Sequence, residues 1–394
     1  MSYEESTKID MIEGTDTFAL EKLRVERPVT LENDIYEHCL EELFEIENPS
    51  LKPGHPGFVD AKEKFFQVLR DKGPFSEQGV WVYYPWSQSL VHFPSEDIYV
   101  KLRTSRNRNL ITADEQKIFQ SKTVGIAGMS VGSNVLNTLV LNGGPRHIKI
   151  SDMDVISVPN LNRLMAPARA VNMNKAIYFA QRSLEIDPFL KIDVYSNGLN
   201  TGDFKGWFEE PRLDLFIEEM DNPYLKIESR KEARRLGIPV IMAADNGDGV
   251  LIDVERFDLE PDRPLFHGRL DKYDLDSITP NIPFPKKLAI IADMVHLEEA
   301  TPRAQDSLEQ VGKELNTWPQ LGTAALIAGV TMSFVARRVL LGDSMLSGRY
   351  SLDLESSLVP ETQSPGYKRW RAQHTKEVME NFEQLKQHLE GVGS

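Results

Sequence analysis

Apolar positions along the chain change period several times, and each change marks an element. In residues 122–163, KTVGIAGMSVGSNVLNTLVLNGGPRHIKISDMDVISVPNLNR, Val124 and Ile126 alternate with small residues as a strand does. Gly128 and Gly132 then bracket a short loop, after which Val135, Leu136, Leu139 and Val140 recur at helical spacing. Ile148 and Ile150 open a second strand that ends at Asp152, so the stretch reads strand, glycine loop, helix, strand. The alternating period returns in LDLFIEEMDN, predicting a strand over 214–220, and in GIPVIMAAD and GVLIDVERF around the turn DNGDG. Helical spacing predicts helices over 31–47, over 59–72 and from Lys175, where Ala176, Phe179, Ala180 and Leu184 share a face. Past Pro365 it predicts an amphipathic helix bearing Trp370, His374, Val378, Phe382, Leu385 and Leu389. Residues 79–94, GVWVYYPWSQSLVHFP, alternate as a hairpin with Trp81, Tyr83 and Trp86 as bulky cross-strand partners. Residues 1–30 are polar and weakly patterned. Strands alternating with helices predict an α/β fold with a mostly parallel sheet.

The glycine loop carries the first chemical signal. A loop of this kind opening a helix sets backbone N–H groups and the positive end of the helix dipole against an anion, usually a phosphate. Asp152, 20 residues past Gly132, ends the next strand where a carboxylate accepts from ribose hydroxyls. The loop reads GMSVGS, with Ser130 where a dinucleotide fingerprint has its second glycine. Asp154, Asn160, Asn162, Arg163 and Lys175 follow. A dinucleotide reader needs no such cations, whereas a site that cleaves between the α and β phosphates of ATP must neutralise departing pyrophosphate.

Taken together, glycine loop, DMD, NLNR, lysine and the strand LDLFIEEMDN resemble the E1-like adenylyltransferases, which include the ubiquitin-activating and ThiF/MoeB-type enzymes. The upstream RNRN at 106–109 and the downstream PQLGTAALIAGVTMSFVARRVLLG at 319–342 are similar to that family's arginine-bearing entry segment and late helix, so the match runs from about 103 to about 354. The resemblance implies a Rossmann-like E1/ThiF adenylation fold, ATP and Mg²⁺ as cofactors, and a homodimer. It implies that Gly128, Ser130, Gly132, Asp152 and Asp154 hold the nucleotide, and that Asn160, Arg163, Lys175 and Arg108 surround its phosphates, with Arg106 as the second choice at the entry segment. Asp221 is the implied Mg²⁺ ligand. Residue chemistry alone leaves local alternatives: a lysine at the positive start of a helix calls for any nearby anion, a carboxylate included, and Asp221 also suits a helix N-cap.

Composition narrows the reading further. With 45 basic and 60 acidic residues among 394, the net charge of −15 argues against nucleic-acid binding. No signal peptide is recognisable, and the uncharged stretch 321–336 falls short of a membrane span and holds Thr323, Thr331 and Ser333, so a core helix and a cytoplasmic location are expected. The single cysteine, Cys39, shares an apolar stripe with Ile35 and Leu43. No internal disulfide, paired CxxC zinc site or later thioester-forming cysteine is possible, so the chemistry should stop at an acyl-adenylate or pass directly to another nucleophile. The expected organisation is a small N-terminal α+β domain over 1–100 for recognition or capping, an adenylation domain over 101–360 with a crossover segment at 260–318, and a C-terminal helix over 361–394. In the crossover segment His267, Arg269, Lys272, Lys286 and Lys287 are candidates to bind an acidic or carboxylate-ended substrate. The expected substrate is a carboxylate on a peptide, a ubiquitin-like protein tail or a small acid. The rivals are an inactive E1-like scaffold subunit and an NAD(P)- or flavin-dependent oxidoreductase.

Overall fold

The computed structural model describes residues 6–392, without the side chains of 284, 285, 308, 309 and 385–392. It divides into two compact units, Met1–Gln120 with Asn142–Gly144 and Ala180–Leu190, and Ser121–Leu141 with Pro145–Phe179 and Lys191–Ser394.

The first unit is an α+β layer. Its strands β1 (Asp10–Glu13), β2 (Leu31–Asp34), β3 (Val80–Tyr84) and β4 (Ser89–Phe93) form a sheet of order β1-β3-β4-β2. The expected hairpin is β3 with β4, antiparallel, placing Trp81 opposite His92 and Tyr83 opposite Leu90, whereas Trp86 falls in the connecting turn. Its helices are α1 (Thr17–Glu26), α2 (Tyr36–Glu47), α3 (Phe58–Arg70), α4 (Glu96–Thr104) and α5 (Ala113–Gln120). Leu20 and Leu23 of α1 pack on Trp81, Tyr83 and Leu90, while Val80, Val82, Tyr84 and Phe93 fill the opposite face, so β3 is buried on both sides.

Two expectations are corrected here. The weakly patterned start holds β1 and α1. Residues 31–34 are a strand, not the first turn of a helix: β2 pairs in parallel with β4, and the Asp34 carboxylate accepts the Tyr36 N–H at 3.0 Å, delaying the helix to Tyr36. Asp34 also lies 2.9 Å from Nδ1 of His92, a fully buried ring stacked between Trp81 and Tyr36. Cys39 is buried on α2 as its stripe predicts, and burial pushes its thiol up to about 11.

The second unit carries the large sheet, built from β5 (Thr123–Ala127), β6 (His147–Ser151), β7 (Lys191–Tyr195), β8 (Leu215–Glu218), β9 (Val240–Asn246), β10 (Gly249–Glu255) and β11 (Gly348–Asp353). The order is β11-β10-β9-β8-β5-β6-β7, parallel from β9 to β7 and antiparallel at β10 and β11. The third predicted strand is shorter than expected, since β8 stops at Glu218. The unit's longer helices are α6 (Val131–Leu141), α7 (starting at Lys175 and running to Ile186, its residues from Ala180 onward counted with the first unit), α8 (Pro223–Leu236), α9 (Phe284–Val295), α10 (Pro302–Gln310), α11 (Gly322–Leu340) and α12 (Pro365–Val392). By length and composition α11 is apolar enough to cross a membrane, but 56% of its apolar window is buried against the unit's own sheet and α6. One buried cluster, which includes Trp207, Phe208, Phe216, Ile227, Phe257 and Phe266, packs beside β8 and β9. The C-terminal helix docks within this unit: Phe382 packs with Ala292, Leu297, Ala300 and Ala304 and Val378 is buried, while Trp370 is half exposed and the side chains of Leu385 and Leu389 lie outside the described residues.

Candidate active site

The chain builds β5, β6 and β7 outward in one direction, then returns to add β8 on the other side of β5. Two connections therefore leave adjacent strand ends in opposite directions, and a crevice opens at the carboxyl ends of β5 and β8. The glycine loop lies there. Gly128 adopts φ +95°, and a Cβ on it would fall 2.3 Å from the Glu219 carbonyl oxygen, so only glycine lets the loop close onto the backbone that follows β8. Gly132 is buried in the first turn of α6.

Asp152 stands at the end of β6, where its two oxygens accept the N–H groups of Met129 at 2.7 Å and Asp154 at 2.8 Å. The carboxylate thus pins the glycine loop to the next strand, and each oxygen keeps a second lone pair for an incoming hydroxyl. Burial pushes its carboxyl above the ordinary value, against the pull of Lys175 and the two N–H donors. Lys175 is nearly buried, with Nζ 2.9 Å from Asp154 Oδ2 and 3.9 Å from Asp152 Oδ2. Here the anion that relieves a lysine at a helix start is the DMD pair, and the same pair holds the ammonium beside the glycine loop.

Arg163 contacts the loop itself. Its Nε donates to Ser130 Oγ at 3.2 Å, and Nη1 donates to Asn162 Oδ1 at 2.9 Å and to the Pro159 carbonyl at 3.3 Å. Ser130, the departure from a glycine-only fingerprint, is therefore the seat of an arginine. Burial lowers the Arg163 pKa, while Asp245 and Asp221 raise it, which puts both carboxylates within electrostatic reach of the guanidinium. Asn160 turns inward: its Oδ1 accepts from Ser157 N and Oγ, closing the turn that presents Arg163 and leaving only its amide NH₂ to donate. Asp221 is exposed, and the cap of α8 is its neighbour Asn222, which accepts from the N–H groups of Tyr224 and Leu225. Among the described residues no hydrogen bond or ion pair engages the Asp221 carboxylate. One hard carboxylate suits a Mg²⁺ that takes its other ligands from phosphate and water, and no group of three or more His, Cys, Asp or Glu side chains arranged for a metal occurs among the described residues.

Of the predicted residues, Gly128, Ser130, Gly132, Asp152, Asp154, Asn160, Arg163, Lys175 and Asp221 all cluster at these strand ends. Arg108 belongs to the first unit, exposed after a short turn at Ser105–Asn107. In the crossover segment His267 and Arg269 both face the buried Asp253, and Lys272 pairs with Asp293 at 2.9 Å, so these three candidates are held by internal carboxylates. Sequence reading passed over two acids. Asp245, near the end of β9, accepts from Gln320 Nε2 at 2.9 Å through Oδ2, while its buried Oδ1 has no hydrogen-bond partner, and burial pushes it up to about 6. Glu219 accepts from the Ala243 N–H at 2.8 Å, and burial pushes it well above the carboxylate range. The usable signal was in the sequence: acids directly after apolar runs that end as parallel strands.

The ThiF family pattern matches residues 104–356, well over half the chain. The protein belongs to the ThiF family. The chain is also 34% identical over 285 residues to the uncharacterized protein MT1398 of Mycobacterium tuberculosis, covering 72% of this chain but 39% of that relative's length. Among solved structures it is similar to Escherichia coli tRNA N6-threonylcarbamoyladenosine dehydratase TcdA in complex with AMP, at TM-score 0.46 and 17% identity over 61% of this chain and 95% of that one. It is also similar to Escherichia coli MccB with ATP, at TM-score 0.42 and 14% identity over 75% and 78%.

Proposed function

We propose that this ThiF-family protein is an ATP-dependent adenylyltransferase that activates a substrate carboxylate. The carboxylate oxygen attacks the α-phosphorus, the bond to the β-phosphate oxygen breaks, and pyrophosphate leaves from an acyl-AMP that an amine, amide or sulfur nucleophile can open. The observation that supports this reading is that Arg163 bonds Ser130 of the glycine loop while Lys175 pairs with the aspartates that pin that same loop, with Asp221 within electrostatic reach of Arg163. Two fixed cations oppose the charge that develops on the leaving pyrophosphate, and before ATP arrives the Asp152–Asp154 pair holds Lys175 while the neutral groups of Ser130, Asn162 and Pro159 hold Arg163. Asp152 would accept from the ribose, and Asp221 would hold Mg²⁺, which would shield the phosphates from the attacking carboxylate. Arg108 is assigned to the phosphates as well, from the same or a second copy.

The sole cysteine is buried, with its thiol pushed up to about 11, which supports a route without a thioester. Leu326, Val330 and Phe334 stand exposed every fourth residue along α11, which supports a homodimer. The substrate is read as a peptide, a ubiquitin-like tail or a small acid, handled in the cytoplasm. The test is ATP–pyrophosphate exchange with a panel of peptides and small carboxylic acids. Exchange that depends on one of these acids, and is lost by a factor above about 100 in Lys175→Ala, is expected. Equal exchange by wild type and Lys175→Ala would remove the lysine from the mechanism, and saturable NAD(P) binding in place of ATP would favour an oxidoreductase.

A further inference from the structure

A path of hydrogen bonds, passing through the covalent frame of Gln320, joins the end of β9 to the glycine loop. Gln320 Nε2 donates to Asp245 Oδ2 at 2.9 Å, Asn162 Nδ2 donates to the main-chain carbonyl of the same Gln320 at 2.8 Å, and Arg163 Nη1 donates to Asn162 Oδ1 at 2.9 Å. Arg163 Nε then reaches Ser130 Oγ at 3.2 Å. The middle of the path is held by packing, since a Cβ on Gly322 would fall 2.6 Å from the Asn162 carbonyl oxygen. The five residues come from four separated stretches of chain, with Asn162 and Arg163 adjacent, so the path orients one amide and one guanidinium rather than merely filling space.

An arginine carries about 2 kcal/mol of rotamer entropy, and a guanidinium that must meet a phosphate gains most if that freedom is lost before binding. Among the described residues no carboxylate forms an ion pair with Arg163, and its hydrogen-bond partners are the neutral groups of Ser130, Asn162 and Pro159. We propose that Asp245 is a positioning residue, which through Gln320 and Asn162 fixes the Arg163 guanidinium over the glycine loop for the phosphates. This rests on the nucleotide reading above. Asp245 anchors the return of the crossover segment into α11, so the same contact ties the setting of Arg163 to the seating of that segment.

The test is calorimetric titration of the full-length protein with MgATP, in wild type, Asp245→Ala, Gln320→Ala, Asp245→Asn, Arg163→Ala and the double variant Asp245→Ala with Arg163→Ala. Asp245→Ala and Gln320→Ala are expected to weaken MgATP binding by about tenfold. Asp245→Asn, whose amide oxygen still accepts from Gln320, should bind at least as tightly as wild type. In the Arg163→Ala background the loss at Asp245 should add nothing. Equal losses in both backgrounds, or an Asp245→Asn variant as weak as Asp245→Ala, overturns the relay while leaving the nucleotide reading standing. A wild type that binds no MgATP overturns the nucleotide reading itself. Gln320→Ala decides the matter if Asp245→Ala fails to fold.

Discussion

Glu218 and Glu219 are neighbours at the end of one strand, yet they belong to opposite kinds of electrostatics. Burial alone would raise Glu218, but Lys226 and Arg230 beside it hold its carboxyl below the usual range. Arg230, fully buried, lies 2.7 Å from Glu255 as well and stacks on Phe266, so every charge in that network is matched. One residue later, Glu219 accepts a single backbone N–H and is pushed upward, and Asp245 on the next strand has one neutral donor and an unpartnered oxygen. Close-matched ions lock the sheet, and the strand ends keep charges in waiting. Arg163, Asp221 and Asp245 are poorly balanced as they stand, which is the condition expected of groups that meet a ligand.

The contrast breaks most visibly at Arg230. Arg230→Met leaves Glu218 facing only Lys226 and Glu255 without its cation, and is expected to cost about 3–5 kcal/mol in urea unfolding. A smaller loss would mean that the network relaxes or takes in water. At Asp245 the sign reverses. Its carboxyl, raised from 3.8 to about 6, binds more protons folded than unfolded, so stability falls as pH rises from about 4 to about 6 and the deficit persists above that. Gln320 and Arg163 oppose this deficit. Asp245→Asn is therefore expected to stabilise the fold at neutral pH by up to about 3 kcal/mol, and by nothing below about pH 4. A destabilised Asp245→Asn at neutral pH would show that its charge is matched after all.

What the sequence revealed follows the same division between local and distant partners. The glycine loop, Asp152 and Lys175 were legible because each lies at a strand end or helix start that periodicity marks. The DMD pair and Lys175 meet across only 21 residues, within one strand-to-helix connection. By contrast, the contact between Gln320 and Asp245 spans 75 residues, and that between Ser130 and Arg163 spans 33, so no spacing announces them. The misread strand at 31–34 has the same cause: its partner, β4, lies more than fifty residues away, while the apolar stripe that follows it is local. His267, Arg269 and Lys272 looked available because the carboxylates that hold them were invisible until the fold brought them near.

The central claim is that Arg163 and Lys175 face one polyphosphate at the glycine loop. Phosphorus NMR of MgATP tests it directly, with wild type and with Arg163→Ala added in turn. The account predicts shifted and broadened phosphate resonances with wild type, and partial return toward free MgATP with Arg163→Ala at equal concentration. Spectra unchanged by wild type, or changed equally by both proteins, would contradict it.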